Sequence, residues 1–358
     1  MMKQPWIGKP SEDILFIILP PFLSLLVIAV FPEWFRNNAE MNELSWIVLV
    51  VLIDVAHVYS TLYRTYFDPN SLKGQRQLLW VIPFAGFVAG VMIYTLSALW
   101  FWRLLAYVAV FHFVRQQYGF MRVYSRYECR SSLGSWIDTI GIYTATIFPL
   151  LYWHLSGPKN FNWFLPGDFV TTEAAGILSG MTMVYWLIVA LYLAKEILSI
   201  VRYRKINVPK LGVISGTFLS WYFGIVYFNG DLAFTLLNVV SHGIPYLALI
   251  WIYGEKNYRK KGSRFLKLVF SKWGVLIFLG LIALFAFAEE HIWDSFVWNE
   301  HNSVFGNGRM GDVELARPLL SILIPLLALP QITHYILDGF IWKVRKAEFE
   351  FQQDEPSV

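Results

Sequence analysis

Cysteine is almost missing from this chain: Cys129 is the single thiol in 358 residues. One thiol forms no internal disulfide, and without CxxC or CxxCH there is neither a zinc ribbon nor a c-type haem attachment. Charge is scarce as well, with acidic and basic residues together making 15% of the chain, where a soluble domain carries about 25%. The phosphate-cradling GxxxxGK[ST] loop and the GxSxG nucleophile elbow do not occur, which removes the usual signatures of P-loop nucleotide hydrolysis and serine-based acyl transfer. No two histidines stand in an HxxxH or HxxHH box, and that counts against the two-iron centres of membrane desaturases and hydroxylases. Internal repeats, Pro/Ser-rich linkers and long polar stretches that would mark a soluble domain are missing too.

What remains is mostly apolar. Hydrophobic residues make 56% of the chain and the mean hydropathy is +0.49, values that define a polytopic, all-α membrane helix bundle. Aromatics reach 18%, with 16 tryptophans, as expected where rings line apolar cavities and anchor at both interfaces. Apolar segments long enough to span about 30 Å at about 1.5 Å per residue run over 14–31, 45–63, 79–97, 100–118, 136–154, 177–201, 212–228, 232–253, 272–288 and 318–342, which predicts about ten transmembrane helices in one domain, 1–345, followed by a polar cytoplasmic tail, 346–358. The N-terminal stretch has no small-residue cleavage site before a short apolar run, so the first helix is expected to be retained rather than removed as a signal peptide.

Basic residues gather after the even-numbered segments: Lys73 and Arg76, then Arg122, Arg126 and Arg130, then Arg202, Arg204, Lys205 and Lys210, then the run from Lys256 to Lys272. The connection 32–44 sets Arg36 against Glu33, Glu40 and Glu43, and 289–317 is acidic in excess. The positive-inside rule then places both termini in the cytoplasm, most simply across a bacterial inner membrane. Because the net charge of +4 is concentrated in one set of loops, it calls for no nucleic-acid partner.

Four of the seven histidines, His57, His112, His242 and His334, sit inside four different apolar segments. All four segments run from outside to inside in this topology, and each histidine lies roughly 10–18 Å above its cytoplasmic helix end. Ionisable groups in hydrocarbon are costly and are kept for relays, ion paths or cofactor ligation. Imidazole is the commonest metal ligand, with one ring nitrogen left to donate to a supporting acceptor. Such companions stand one turn away on the same helix face: Asp54 with His57, Gln116 with His112, Asn238 with His242 and Asp338 with His334. Arg115, three residues after His112, either pairs with Asp54 or Asp338 in the supporting set or snorkels to lipid headgroups, and Tyr246 either lines the substrate pocket or serves in packing. The bland alternative is that each pair is interhelical glue, as polar residues in membrane bundles often are. Taken together, four imidazoles with carboxylates nearby suit iron, or another transition metal, better than magnesium or calcium. Iron with open positions in an apolar, aromatic-lined cavity suits O2 chemistry on a lipid-like substrate. The outer acidic run from Glu289 to His301 reads as a solvated loop.

In their order along the chain, IDVAH at His57, FHF at His112, SHGIPY at His242 and LPQITHYILDGFIWK at His334 resemble the Brp/Blh family of membrane carotene oxygenases, multi-helix proteins in which histidine-bound iron serves the cleavage of β-carotene to retinal. These motifs cover about a tenth of the chain. The acid precedes the first histidine where the family pattern has it after, Tyr246 stands where a second histidine is expected, and extra helices are present. The resemblance implies a membrane-embedded non-haem iron oxygenase whose partners are the bilayer, O2 and an apolar substrate such as a carotenoid, another isoprenoid or an acyl chain. Two other classes use the same residues: a proton- or metal-ion-coupled transporter with a His/Asp relay, and a haem-binding electron-transfer protein with axial histidines on facing helices.

Overall fold

The computed structural model describes residues 4–36, 40–128, 132–204, 206–306 and 317–342. The predicted tail 346–358 lies outside the described residues, as do Cys129, Arg130, Lys205 and the stretch 307–316 of the outer acidic connection. Among the described residues, regular structure is helical throughout, apart from a single isolated bridge between Ser156 and Glu173.

Ten long helical elements follow the hydropathy pattern. The first, α1, is broken: Pro10–Ile18 meets Pro20–Val30 at a 52° bend, because Pro20 and Pro21 have no N–H for the preceding turn. Then come α2 (Glu43–Tyr63), α3 (Arg76–Leu96), α4 (Ala98–Tyr124), α5 (Leu133–Leu155), α6 (Ala175–Tyr203), α7 (Val208–Trp221, continued as a π turn to Tyr227), α8 (Asp231–Lys261), α9 (Val275–Trp293, with a π turn to Trp298) and α10, made of Arg317–Leu327 and Leu329–Ile341. Seven of them (α2, α3, α4, α6, α8, α9 and α10) are long and apolar enough to cross a membrane, or eight with the bent α1. The remaining two of the expected ten, α5 and α7, are helical where spans were expected, yet miss that combination of length and hydropathy. Both carry buried polar residues that neighbouring helices satisfy, among them Asp138 on α5 and Lys210 on α7.

Two boundaries also move. α8 extends to Lys261, so Lys256, Arg259 and Lys260 lie on the helix rather than in a loop from 254. α9 extends to Trp293, so Glu289, Glu290 and His291 are helical rather than part of an outer loop. The cause is visible in the pattern of buried positions: Phe278, Ile282, Ala286, Glu289 and Trp293 share one face at helical spacing, and the acid simply continues that face.

The most enclosed span is α8, around which α1, α2, α4, α7 and the short helix Arg264–Val269 pack. Glycines allow some of these approaches: at Gly243 on α8 an added Cβ would lie 2.8 Å from Ile53 of α2, and at Gly86 on α3 it would lie 2.8 Å from Ile332 of α10. Such small-residue contacts let backbones come close where no hydrophobic driving force acts between helices. Direct packing of α2 and α4 against both α8 and α10 brings these four helices together.

Candidate metal centre

The four intramembrane histidines converge. His57, His112, His242 and His334 each offer one ring nitrogen, and these atoms all lie within 4.8 Å of one another. All four residues are buried, none more than 3% exposed. Their rings form a square, in which His57 neighbours His242 (4.7 Å between centroids) and His334 (5.0 Å), and His112 neighbours the same two at 4.9 and 4.6 Å. Adjacent rings stand edge to face at interplanar angles of 66–83°, so ring edges rather than faces meet at the middle.

Local irregularities in the helices set these positions. His57 follows a nine-residue π-helix, Ile47–Val55, at the point where α2 returns to α-helical winding; π segments recur at functional sites because they shift side-chain register. His242 lies three residues before Pro245, which leaves the Ser241 carbonyl without its helical donor. Gln117 on α4 donates to that carbonyl (3.2 Å), and Gln116 donates to the carbonyl of His242 (2.8 Å). Phe113 stacks on the His242 ring at 3.5 Å and fixes its plane.

Three of the four Nδ1 atoms have a polar neighbour, while Nδ1 of His242 is buried with no hydrogen-bond partner. Nδ1 of His57 lies 3.3 Å from the Ile53 carbonyl and 3.6 Å from Asp54. Nδ1 of His112 is 3.6 Å from Asp338. Nδ1 of His334 is 2.6 Å from the Thr61 hydroxyl, which is 2.8 Å from the Tyr246 hydroxyl, and Tyr246 donates to Asp338 at 2.6 Å. With Tyr246 donating to the carboxylate, the Thr61 proton points to Tyr246, so Thr61 accepts from His334 Nδ1–H. That leaves Nε2 as the lone pair. Nε2 of His112 and Nε2 of His334 are buried with no hydrogen-bond partner, and Nε2 of His57 faces Nε2 of His242 at 3.1 Å.

A buried nitrogen without a partner normally costs about 1–3 kcal/mol, and here the two unpaired Nε2 atoms and the facing Nε2 pair belong to one cluster. Nitrogens bound tetrahedrally at about 2.0–2.1 Å from a metal stand roughly 3.3 Å apart, close to the His57–His242 separation. Among the described residues this is the only group of three or more His, Cys, Asp or Glu with ligand atoms so near one another. The donor set therefore fits a transition-metal ion, and imidazole is a poor match for magnesium or calcium.

The supporting residues rearrange relative to expectation. Asp338 sits one turn from His334 but reaches His112 at 3.6 Å as well as His334 at 3.8 Å, so one carboxylate serves two rings. Tyr246 is part of that network. Gln116 supports the backbone of α8 rather than the ring of His112, and Asn238 donates within its own helix to the Phe234 carbonyl. Arg115 is corrected outright: it is exposed, donates to Tyr143 on α5 at 2.6 Å and lies over the Tyr118 ring, because its position on α4 turns it away from the centre.

Two residues escaped the sequence reading. Thr61 stands one turn after His57, on the same face, but a hydroxyl is a less distinctive companion than an acid or an amide. Glu289 is buried on α9 and accepts from Tyr59 of α2 (2.6 Å), Trp293 (3.0 Å) and Gln331 of α10. It ties together the helices that carry His57 and His334. His154, His291 and His301 stay apart from the centre: His154 lies 2.5 Å from the Val170 carbonyl, His291 is exposed, and His301 stacks on Trp46 beside Glu43.

No protein-family model, curated protein or solved structure matches this chain.

Proposed function

We propose that this membrane protein is a non-haem iron oxygenase that uses O2 to oxidise or cleave an apolar, membrane-dissolved substrate. The observation that carries the reading is the square of four buried imidazoles, with Nδ1 of three of them held from outside and the Nε2 edges left for one shared ion. When bound, iron with open coordination positions supplies O2-dependent oxidation. The chain's own part is to hold the rings. Thr61, Tyr246 and Asp338 keep the proton of His334 on Nδ1, Asp338 and Asp54 orient His112 and His57, and the surrounding aromatic side chains exclude water. The order of the IDVAH, FHF, SHGIPY and THYILDGF motifs, which resembles that of the Brp/Blh oxygenases, supports the same reading, and the substrate is taken as a carotenoid, another isoprenoid or an acyl chain.

The spacing of the rings favours a bare ion over haem, because edge-to-face neighbours at 4.6–5.0 Å leave no slot for a porphyrin between axial ligands. A transporter would need these residues to line a path, and α1 is bent without a sequence repeat that would pair it with a second bent span. Metal analysis and an optical spectrum of the detergent-purified protein decide the matter. Near-stoichiometric iron without a Soret band is the expected result; a Soret band, or metal-free protein that takes up no iron, defeats the proposal.

In the same reading α5 and α7 also cross the bilayer, giving ten spans, and both termini lie in the cytoplasm of a bacterial cell. Cysteine labelling checks the orientation in a background where Cys129 has been replaced. A membrane-impermeant thiol reagent added outside should modify a cysteine introduced at Asn302 and spare one at Lys260. The opposite pattern inverts the map.

A further inference from the structure

An apolar cavity of about 280 Å³ ends at the metal centre. Its lining includes the buried His334 and Thr61 of the centre, together with Leu62, Tyr66, Pro83 and Leu337. No charged side chain lines it. The cavity lies between a proline inside the continuous helix α3 and an interruption of α10. In α3, Pro83 cannot donate to the Leu79 carbonyl, and Tyr66 donates to that carbonyl instead at 2.7 Å, so the proline stays in the wall without leaving a backbone group unsatisfied. In α10 the helix is interrupted at Ala328, immediately before Leu329 and Pro330, and the residues that follow the break form the opposite wall.

Around the cavity the protein surface is lipid-like. Leu326, itself a lining residue, is 50% exposed, and Trp80, Val81 and Phe84 of α3 are 59–71% exposed. The opening thus faces hydrocarbon in a membrane protein, and an occupant reaching it comes from the bilayer rather than from water. The volume decides how much of that occupant is enclosed. It falls just under the roughly 300–1,000 Å³ of pockets that take up most of a drug-sized ligand, so a segment of chain fits while the remainder stays in the lipid.

We infer that this cavity is the substrate slot of the centre, and that it takes one uncharged, slender hydrocarbon segment, acyl or acyclic prenyl, inserted sideways from the bilayer with its reacting carbon at the His334 end. The inference deepens the oxygenase reading and rests on it for the chemistry. Occupation of the slot is a separate property with its own measurement.

The test uses the full chain reconstituted in phosphatidylcholine vesicles, with a hexadecane chain carrying a diazirine at one end as the probe. After illumination, adducts mapped by mass spectrometry should concentrate in 58–66 and 326–337. Leu62→Trp and Leu337→Trp, which fill the slot from different helices, should each lower those adducts by about tenfold or more, since overpacking opposes binding. Phe84→Trp, on the exposed face of α3, should leave them unchanged, and metal per protein, measured on the same samples, should match the unaltered chain in all three. Adducts spread evenly over exposed helix faces, or insensitive to both slot-filling substitutions, overturn the slot even if iron is bound. Concentrated, tryptophan-sensitive adducts on a protein that binds no metal uphold the slot and overturn the oxygenase reading instead.

Discussion

His112→Ala is expected to abolish metal binding, and with it activity, whereas Asp338→Asn is expected to weaken binding by about 10–100-fold, the usual cost of removing a group that orients a ligand. The ranking follows from geometry. His112 contributes one corner of the imidazole square, and alanine leaves three nitrogens and a hole. Asp338 contributes no ring; it lies 3.6 Å from His112 Nδ1 and accepts from Tyr246, which continues through Thr61 to His334. Asparagine keeps its size and still accepts from Tyr246, but it loses the charge that favours Nδ1–H on two rings. Metal content by mass spectrometry of purified protein, followed by chelator competition, measures both variants. If Asp338→Asn stripped all metal while His112→Ala kept full occupancy, the site would have to be rebuilt around the carboxylates, and a cation path would become the better account.

The second large effect falls on folding rather than chemistry. Lys210 on α7, 6% exposed at its side chain, donates to Glu128 at 2.8 Å and to Asp138 of α5 at 2.7 Å. Lys195 of α6 bridges Asp138 and Glu196. Breaking such a buried pair by removing one partner costs about 3–5 kcal/mol, because the remaining charge is left uncompensated. Lys210→Met is therefore expected to lower the thermal midpoint sharply, or to abolish the monodisperse peak in fluorescence-detected size exclusion. Lys210→Met combined with Asp138→Asn should recover part of the loss by removing one of the stranded charges. Lys9→Met, at a pair whose lysine is 75% exposed, should leave the midpoint where it was. A Lys210→Met protein as stable as Lys9→Met would mean that α5, α6 and α7 are held by apolar packing alone.

These two outcomes separate what hydropathy encodes from what packing adds. The four histidines were legible because each is a costly group inside a long apolar run, and that cost is a local property of the sequence. Their companions were legible only in part. Asp338 was found by its one-turn spacing, but its reach to His112 on another helix was not, since spacing within a helix says nothing about the neighbour it faces. Thr61 has the right spacing, but a hydroxyl one turn from a histidine is too common in membrane helices to mark a site by itself. Glu289 was assigned to a loop because acids usually end a span, whereas Tyr59, Gln331 and Trp293 together supply enough donors to keep it inside one. Arg115 was misplaced for the opposite reason: sequence proximity to His112 suggested a shared site, and the rotation of α4 carries it to Tyr143.

By itself the sequence determined that the chain is helical and membrane-bound, where most of its apolar helices run, and which four side chains had to find partners in hydrocarbon. Each of these follows from transfer free energy, which depends on residue type and run length alone. Only the tertiary structure decided that the four imidazoles share one centre, which nitrogen each presents, that α5 and α7 are less apolar and exchange charges through Asp138 and Lys210, and that a slot opens beside His334. Those depend on helix rotation, crossing and kinking. They are set by close contacts such as Gly243 with Ile53 and by the prolines inside α3 and α8, Pro83 and Pro245, where the missing backbone donor is supplied by a side chain from elsewhere in the fold.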